Sequence, residues 1–598
     1  MAYDRCAPSL AYGILGHTER KWAAMQYIKQ FARIVGVGIF AFWATGSLFS
    51  LTRAQDYTQQ SVLFLLLYAL IAWQMWSILD IRLWERPHRR VTAASLALAL
   101  CFSAFTVVGD LLHKTESLAF TLKQAEYMAG MASLFFVILW RFLQWTSRNA
   151  EKPGASPSPR PILFWLLSLG LFLCWLPAFF AMFPGVMSPD SFMQMYQAVG
   201  YIPLADGHPV IHTWLVAACV QIGALLNIHV TTTPALYGLA QMLLMAAACA
   251  YATVTMLRMK APPLFAGITY AFFALFPVNA VYSVTMWKDI PHAAVTLLLV
   301  ACLLQWSQNP KRLFGSWARM IPATLLLFFF STFRQNGLIA FVLFIPFFLW
   351  FFRGYWKRAS LLCLSVFALL GIYRGSLSLL NVIPPQPGEA LSVPMQLAAR
   401  VVRDHRDTLP IEEEEILREI FPVDDLPRLY MPRLADPVKY HFNAGAFGRS
   451  PGRYMALFAR LMRRYPGVAA ESFLLGNYGY WYPAASYWVM WGGVPANDLN
   501  LSRRSILFSE EMFHSLEAAI RNTPGISMLL SIGIMMWMLL LAAAVCWVNR
   551  RKEWPPFVLL LGLWLTLLFM PVFAEYRYAY GLILCAPVCL SVMLGKTR

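Results

Sequence analysis

The strongest constraint on this chain is a succession of apolar runs, most of them free of charge, each near the roughly 20 residues a helix needs to cross a bilayer. Charged residues make up 13% of the whole, about half the roughly 25% usual in soluble domains. A soluble globular enzyme is thereby excluded. Lys and Arg outnumber Asp and Glu 48 to 30, a net charge of +18, yet they lie between the apolar runs and form no single patch. Nucleic acid is therefore not an expected partner. In a multi-span chain such an excess marks cytoplasmic loops.

The runs predict an all-α polytopic membrane protein with about 14 transmembrane helices. They lie near 34–51, 61–79, 92–109, 127–145, 161–183, 233–257, 262–283, 290–307, 320–333, 337–352, 359–380, 525–548, 555–574 and 578–595. Counting Lys and Arg in the short loops puts both termini in the cytoplasm, because Arg82 to Arg90, Lys311 to Arg319, Arg353 to Arg358 and Arg550 to Lys552 then share that side. The balance holds only if 209–228 does not cross, so it is expected to lie at the outer interface as a juxtamembrane helix. The same count splits 320–352 at an outward turn, Arg334-Gln335-Asn336-Gly337. Residues 1–22 are too polar for a signal peptide, which leaves the first spanning helix as the expected targeting signal. Cys6 lies in that tail, the other cysteines lie in apolar stretches and 383–524 has none, so they read as small buried hydrophobes.

The expected organisation is a four-helix transmembrane region over 1–150 and a Pro/Ser-rich cytoplasmic linker over 151–160. A core over 161–382 follows, with a first outer loop at 184–232, then a mainly helical extracytoplasmic domain over 383–524 and C-terminal crossings over 525–598. No internal repeat is visible, which gives no support to an inverted-repeat transporter.

The first outer loop carries the candidate chemistry. Pro189 opens a helix with Ser188 as its cap, and on it Asp190, Gln194 and Gln197 share one face while Phe192, Tyr196 and Val199 share another. Asp206-Gly207-His208-Pro209 and His212 follow. Asp190, Asp206, His208 and His212 have the ligand types of a divalent metal site, but their spacing is not diagnostic and no cofactor is expected. Lys288 and Asp289, Arg334, and Glu575 with Arg577 reach the same outer level from separate helices. Ionisable groups at that depth are costly and mark a function or a pair. Arg334 has no acidic neighbour in sequence, which makes it the best candidate for an anion contact.

One carboxylate and up to three cations at the lip of a lipid-embedded bundle suit transfer of a sugar from a lipid-linked phosphate. The cations would stabilise the departing phosphate, and the carboxylate would take the proton of the attacking hydroxyl. In order and spacing, 161–380 resembles the integral-membrane glycosyltransferases of the GT-C fold, among them the protein O-mannosyltransferases and the aminoarabinose transferase of lipid A. The residues that carry the resemblance are Asp190, His208-Pro209, Lys288-Asp289 and Arg334. The chain is also similar to an uncharacterised family of bacterial multi-pass proteins over about 180–580. The shared motifs run Pro184 to Ser191, Asp206 to Pro209, Trp287 to Asp289, Phe333 to Gly337, Ser392 to Arg400, Tyr480 to Pro483 and Glu575 to Tyr578. The GT-C resemblance implies Asp190 as the base. It implies donor and substrate contacts from the basic residues of its motifs, and His208, Lys288, Asp289, Arg334, Gln335, Asn336, Arg577 and Gln194 form the expected set. Ser191 stands where the O-mannosyltransferases have an acid.

The expected function is an inverting glycosyltransferase of the bacterial inner membrane, moving a sugar from a polyprenyl-phosphate donor to an envelope glycan, lipid or protein on the outer face. Membrane lipids surround it. A polysaccharide polymerase or ligase, or a lipid or solute transporter, are the competing readings. Within 383–524, Glu412 to Glu415 is expected as a solvated helix start. Arg460, Arg463 and Arg464 would face head groups or donor phosphate, and Tyr478, Tyr480, Trp481 and Tyr482 would serve as interfacial anchors or sugar platforms.

Overall fold

The computed structural model describes residues 17–51, 62–79, 88–149, 159–569 and 573–595. The N-terminal tail with Cys6, the loops 52–61 and 80–87 and nearly all of the 151–160 linker lie outside the described residues. The protein is all-helical, with no named strand among the described residues. Among the described residues, eight helices are long and apolar enough to cross a membrane, or nine if one bent pair is counted as a single span.

Contacts divide the chain into two compact units, 1–107 with 120–142, and 108–119 with 143–598. The first is carried by α1 (His17–Leu51), α2 (Val62–Leu79) and most of α3 (Arg89–Thr115) and α4 (Leu122–Asn149). Ala41 and Ala44 pack on Ile71 in its core. Two arginines of these apolar helices find partners within the unit, as hydrocarbon surroundings favour: Arg33 donates to the Trp76 carbonyl at 2.9 Å, and Arg141 donates to Gln74 Oε1 at 3.0 Å.

The second unit opens with α5 (Ile162–Ala181), the short α6 (Pro189–Ala198) and α7 (Val210–Leu225), then α8 (Thr233–Arg258), α9 (Pro263–Leu275), α10 (Pro277–Ser283) and α11 (Asp289–Gln308). A helix stands at 210–225, where a juxtamembrane helix is expected. The stretch 262–283, expected as one crossing, is instead broken: α9 and α10 meet at 54°. Pro277 removes the helical donor that would serve the Phe273 carbonyl, and side chains reach the carbonyls at the bend. Asn279 Nδ2 donates to Phe272 O at 2.9 Å and Trp175 Nε1 to Phe273 O at 3.2 Å.

Next come α12 (Lys311–Phe314), α13 (Trp317–Thr332), α14 (Gln335–Phe351) and α15 (Trp356–Leu379). The helix expected to split at 334 does split there, with Arg334 extended between α13 and α14. Gly337 makes the turn possible, since a Cβ at that position would collide with the Phe330 carbonyl.

The polar segment holds α16 (Ser392–His405), α17 (Ile411–Ile420), α18 (Leu426–Leu429), α19 (Asp436–Tyr440), α20 (Ala444–Arg449), α21 (Pro451–Arg464), α22 (Pro466–Asn477) and α23 (Glu510–Asn522). It has its own core, in which Val401, Leu417, Leu426 and Leu457 are buried. Two expectations are altered here. Glu413 is buried and pairs with Arg460 at 3.3 Å and Arg464 at 3.6 Å, whereas Glu412, Glu415 and both arginines are exposed, so within the expected solvated helix start Glu413 turns inward and the two arginines are engaged by it. Tyr478, Tyr480, Trp481 and Tyr482 are buried too. Their polar tips find internal partners, as buried phenols and indoles require: Tyr480 donates to Phe573 O at 3.1 Å and Trp481 to Asn477 Oδ1 at 2.8 Å. The chain ends in α24 (Ile532–Val548), α25 (Pro555–Phe569) and α26 (Tyr580–Leu594).

Candidate functional site

Two loops far apart in sequence are zipped together just before α6 and α11. Val186 donates its N–H to Val284 O at 3.1 Å, and Met286 returns one to Val186 O at 2.9 Å. Gly185, at φ +147°, brings the backbone close to the Val284 carbonyl, where a side chain would crowd it. Ser191 Oγ accepts from the Ser188 N–H at 3.1 Å and donates to Met286 O at 2.7 Å, while Trp287 Nε1 donates to Ser188 Oγ at 2.8 Å. The first turn of α6 is thus fixed to the residues that precede Lys288, and Asp190 and Lys288 are delivered to one place.

Arg577, from the segment between α25 and α26, completes the contact. Its Nη1 donates to Asp190 Oδ2 at 3.0 Å, its Nε to Glu575 Oε2 at 2.6 Å and its Nη2 to the Tyr578 hydroxyl at 3.1 Å, with the guanidinium over the Trp287 ring. Lys288 Nζ donates to His208 Nδ1 at 2.7 Å. Arg334 forms an ion pair with Asp289 and lies over the Tyr578 ring. Asp190, Asp289 and Glu575 therefore face Lys288, Arg334 and Arg577 in one cluster of balanced charge. Asp289 Oδ2 is buried without a hydrogen-bond partner. Asp190 is the open member, with 37% of its side chain exposed against 1% for Asp289 and 5% for Glu575.

The environment separates the protonation states of these groups. Burial pushes the Asp190 carboxyl upward, but the charges of Arg577, Lys288 and His208 outweigh it and hold the group down at about 2. Burial dominates at Glu575 and raises it to about 7 despite Arg577. Burial, and then the Lys288 charge, press His208 down to about 4, so at neutral pH it is the neutral acceptor that its bond from Lys288 requires. Lys288 is itself lowered, chiefly by burial.

Of the residues singled out from sequence, Asp190, His208, Lys288, Asp289, Arg334 and Arg577 come together. Gln194 points elsewhere, within 3.2 Å of Thr213 Oγ1 and 2.8 Å of His212 Nδ1, and His212 continues to the Tyr237 hydroxyl at 2.7 Å. Asn336 donates to Thr566 in α25 at 3.0 Å. Asp206 is taken by Arg374 at 2.8 Å, so Asp190, Asp206, His208 and His212 do not form one ligand set. Among the described residues no group of three His, Cys, Asp or Glu side chains is placed to hold a metal ion.

Two cavities flank the cluster. One, of about 250 Å³, lies against α13, α14 and α15; Leu338, Phe367 and Leu370 give it apolar walls, and Ser331, Gln335 and Arg374 supply polar groups. The other, of about 370 Å³, is bordered by Gln197, His208, Gln386, Glu389 and Tyr440. Sequence reading passed over Arg374, although a lone cation near the end of an apolar helix is a signal of the kind that marked Arg334.

Residues 197–598 match DUF6020, a family of unknown function. The chain belongs to the DUF6020 family. That match takes in His208, Lys288, Asp289, Arg334 and Arg577 and begins just after Asp190. No curated protein and no solved structure matches the chain.

Proposed function

We propose that this DUF6020 protein is an inverting glycosyltransferase with about 14 membrane crossings, acting on the outer face of a bacterial inner membrane with both termini in the cytoplasm, and that its donor is a polyprenyl-phosphate sugar. The observation that carries the reading is the convergence of one open carboxylate, Asp190, with Lys288, Arg334 and Arg577, beside a cavity with apolar walls and a cation, Arg374.

In this reading the lipid chain lies along α13 to α15 and the phosphate reaches the cationic cluster. The acceptor hydroxyl attacks the anomeric carbon from the side of Asp190. A carbon–oxygen bond to the acceptor forms, the bond from the anomeric carbon to the phosphate oxygen breaks, and its electron pair leaves on polyprenyl phosphate. Asp190 takes the hydroxyl proton. A carboxylate held at about 2 is a poor base, and the hold comes from Arg577 and Lys288. A phosphate that engages these cations would weaken that hold, so donor binding would raise the basicity of Asp190 at the moment it is needed.

A transporter would place its ionisable groups and unwound backbone along a pathway at mid-membrane. Here the break between α9 and α10 is instead filled by Asn279 and Trp175. The test is reconstitution of the full chain with labelled polyprenyl-phosphate and diphosphate sugars, with and without Asp190→Asn. Transfer from the monophosphate donors, reduced about 10²- to 10⁴-fold in the variant, is expected. Undiminished transfer by Asp190→Asn removes the base, and a preference for diphosphate donors points to a polymerase or ligase instead.

A further inference from the structure

We propose that the cavity bordered by α6, residues 205–208, residues 383–389 and α19 is an acceptor subsite for a neutral glycan, an inference that rests on the glycosyltransferase reading and names its acceptor class. The cavity, about 370 Å³, falls within the range of small-molecule sites.

Its lining has the chemistry of carbohydrate recognition. Tyr440 is 76% exposed, so its ring is available to the C–H face of a sugar, and Phe442 and Pro384 add apolar surface. Gln197, Gln386 and Glu389 offer amide and carboxylate groups, which can donate to and accept from vicinal hydroxyls. Gln197 supplies an independent sign of a ligand: its side chain is buried and its Oε1 has no hydrogen-bond partner. A buried acceptor left unpaired costs about 1–3 kcal/mol, and Gln197 carries that cost at the border of this cavity.

The electrostatics separate this ligand from the donor. Lys439 is held by Glu389 at 3.1 Å and Asp436 at 3.2 Å, so the lysine of the wall is already neutralised, and a phosphate finds no free cation from it here while the cationic cluster attracts one. His208 connects the two places, since it borders the cavity and accepts from Lys288. The Tyr440 hydroxyl is held above its usual range by Asp436 first, then by burial, with a smaller push from Asp190, which puts the cavity within electrostatic reach of the base. A glycan resting on Tyr440 would present a terminal hydroxyl toward Asp190.

The experiment uses the purified full chain in nanodiscs. Saturation-transfer NMR with neutral gluco-, manno- and galacto-oligosaccharides is run without donor, and transfer of labelled sugar from polyprenyl phosphate is run in parallel, onto the free oligosaccharides and onto the same glycans carried on a lipid. Tyr440→Ala is expected to weaken oligosaccharide binding and raise the acceptor KM about tenfold, with the donor KM unchanged. Tyr440→Phe, which keeps the ring, should restore both. Gln386→Ala should act in the same direction, and either carrier supports the subsite. The proposal is overturned if no oligosaccharide binds, if binding ignores both alanine variants, or if the label ends on phospholipid or protein. Transfer with an acceptor KM indifferent to Tyr440 sinks the subsite and leaves the transferase standing. Tyr440-dependent binding with no transfer from any polyprenyl-phosphate donor does the reverse.

Discussion

At the scale of single residues, the Arg334–Asp289 pair shows why so few charges are tolerated in this interior. Both partners are largely buried, and removing one leaves the other charge without compensation, a loss of about 3–5 kcal/mol. Arg334→Ala should therefore lower the thermal unfolding temperature in detergent sharply, and Arg334→Ala combined with Asp289→Asn should recover much of it without restoring transfer. A double variant as unstable as the single one would mean that the pair is not the source of the loss. His208 makes a pH prediction. Its pKa falls from about 6.5 when unfolded to about 4 in the native chain, so the unfolded state binds the extra proton first. The stability tied to neutral His208 is present above pH 6.5 and is lost as pH falls through 4. Melting curves across that interval should show the decline, and His208→Gln, which keeps an acceptor for Lys288, should flatten it. Residues of this kind were readable from sequence because an ionisable group beside an apolar run is expensive and so conspicuous. Tyr440, Gln386 and Gln197 were not readable as a set: they are ordinary in a polar segment, and only the packing of 383–389 and α19 beside α6 gives them a common cavity.

At the scale of elements, α6 holds its position through a chain of buried polar groups. Gln194 meets His212, His212 meets Tyr237, and Tyr237 donates to Gln241 Oε1 at 2.8 Å. Gln241 Nε2 then reaches the carbonyls of Tyr282, Ser283 and Thr285 at 3.0, 3.0 and 2.8 Å. Those carbonyls belong to the strip that carries Lys288. Gln241→Leu would leave the Ser283 carbonyl without its donor and the Tyr237 hydroxyl without the acceptor Gln241 gives it, at about 1–3 kcal/mol each. It should lower both the unfolding temperature and the rate of transfer, though it touches no substrate. Gln241→Glu, which keeps an acceptor for Tyr237 but loses the donor, should restore less than half of either. An unaltered rate in Gln241→Leu would show that α6 is placed by its apolar contacts alone. The sequence displayed Gln194 on the same helical face as Asp190, and periodicity could go no further, because the partner that claims it, His212, comes from α7. The break at Pro277 was missed for a related reason. Hydropathy continues unbroken from α9 into α10, and the residue that stabilises the bend, Asn279, reads as an isolated polar side chain. The α13–α14 turn was found because a cation and a glycine interrupt the apolar run together.

At the scale of the whole molecule, the proposed sidedness of the site rests on charge. The 20-residue α11 is about 30 Å long, close to the thickness of the hydrocarbon core. Asp289 stands at its first turn, while Lys311 and Arg312 follow its far end and Arg319 lies in the first turn of α13. Arg334 lies where α13 ends and α14 begins, whereas Arg353 lies between α14 and α15 and Lys357 and Arg358 in the first turn of α15. The basic clusters therefore alternate with the site along successive helices, and the proposed topology follows from the positive-inside bias, which would put those clusters in the cytoplasm and the Asp190 cluster outside. Tyr440 and Arg353 are both exposed, which makes them suitable reporters of the two sides. In intact cells a membrane-impermeant maleimide should label Tyr440→Cys above the background of the native cysteines, and should label Arg353→Cys only after permeabilisation. Labelling of both in intact cells, or of Arg353→Cys alone, would place the carboxylate on the cytoplasmic side or break the alternation. A donor presented on the outer leaflet would then have no route to Lys288, Arg334 and Arg577, however well their geometry suits a phosphate.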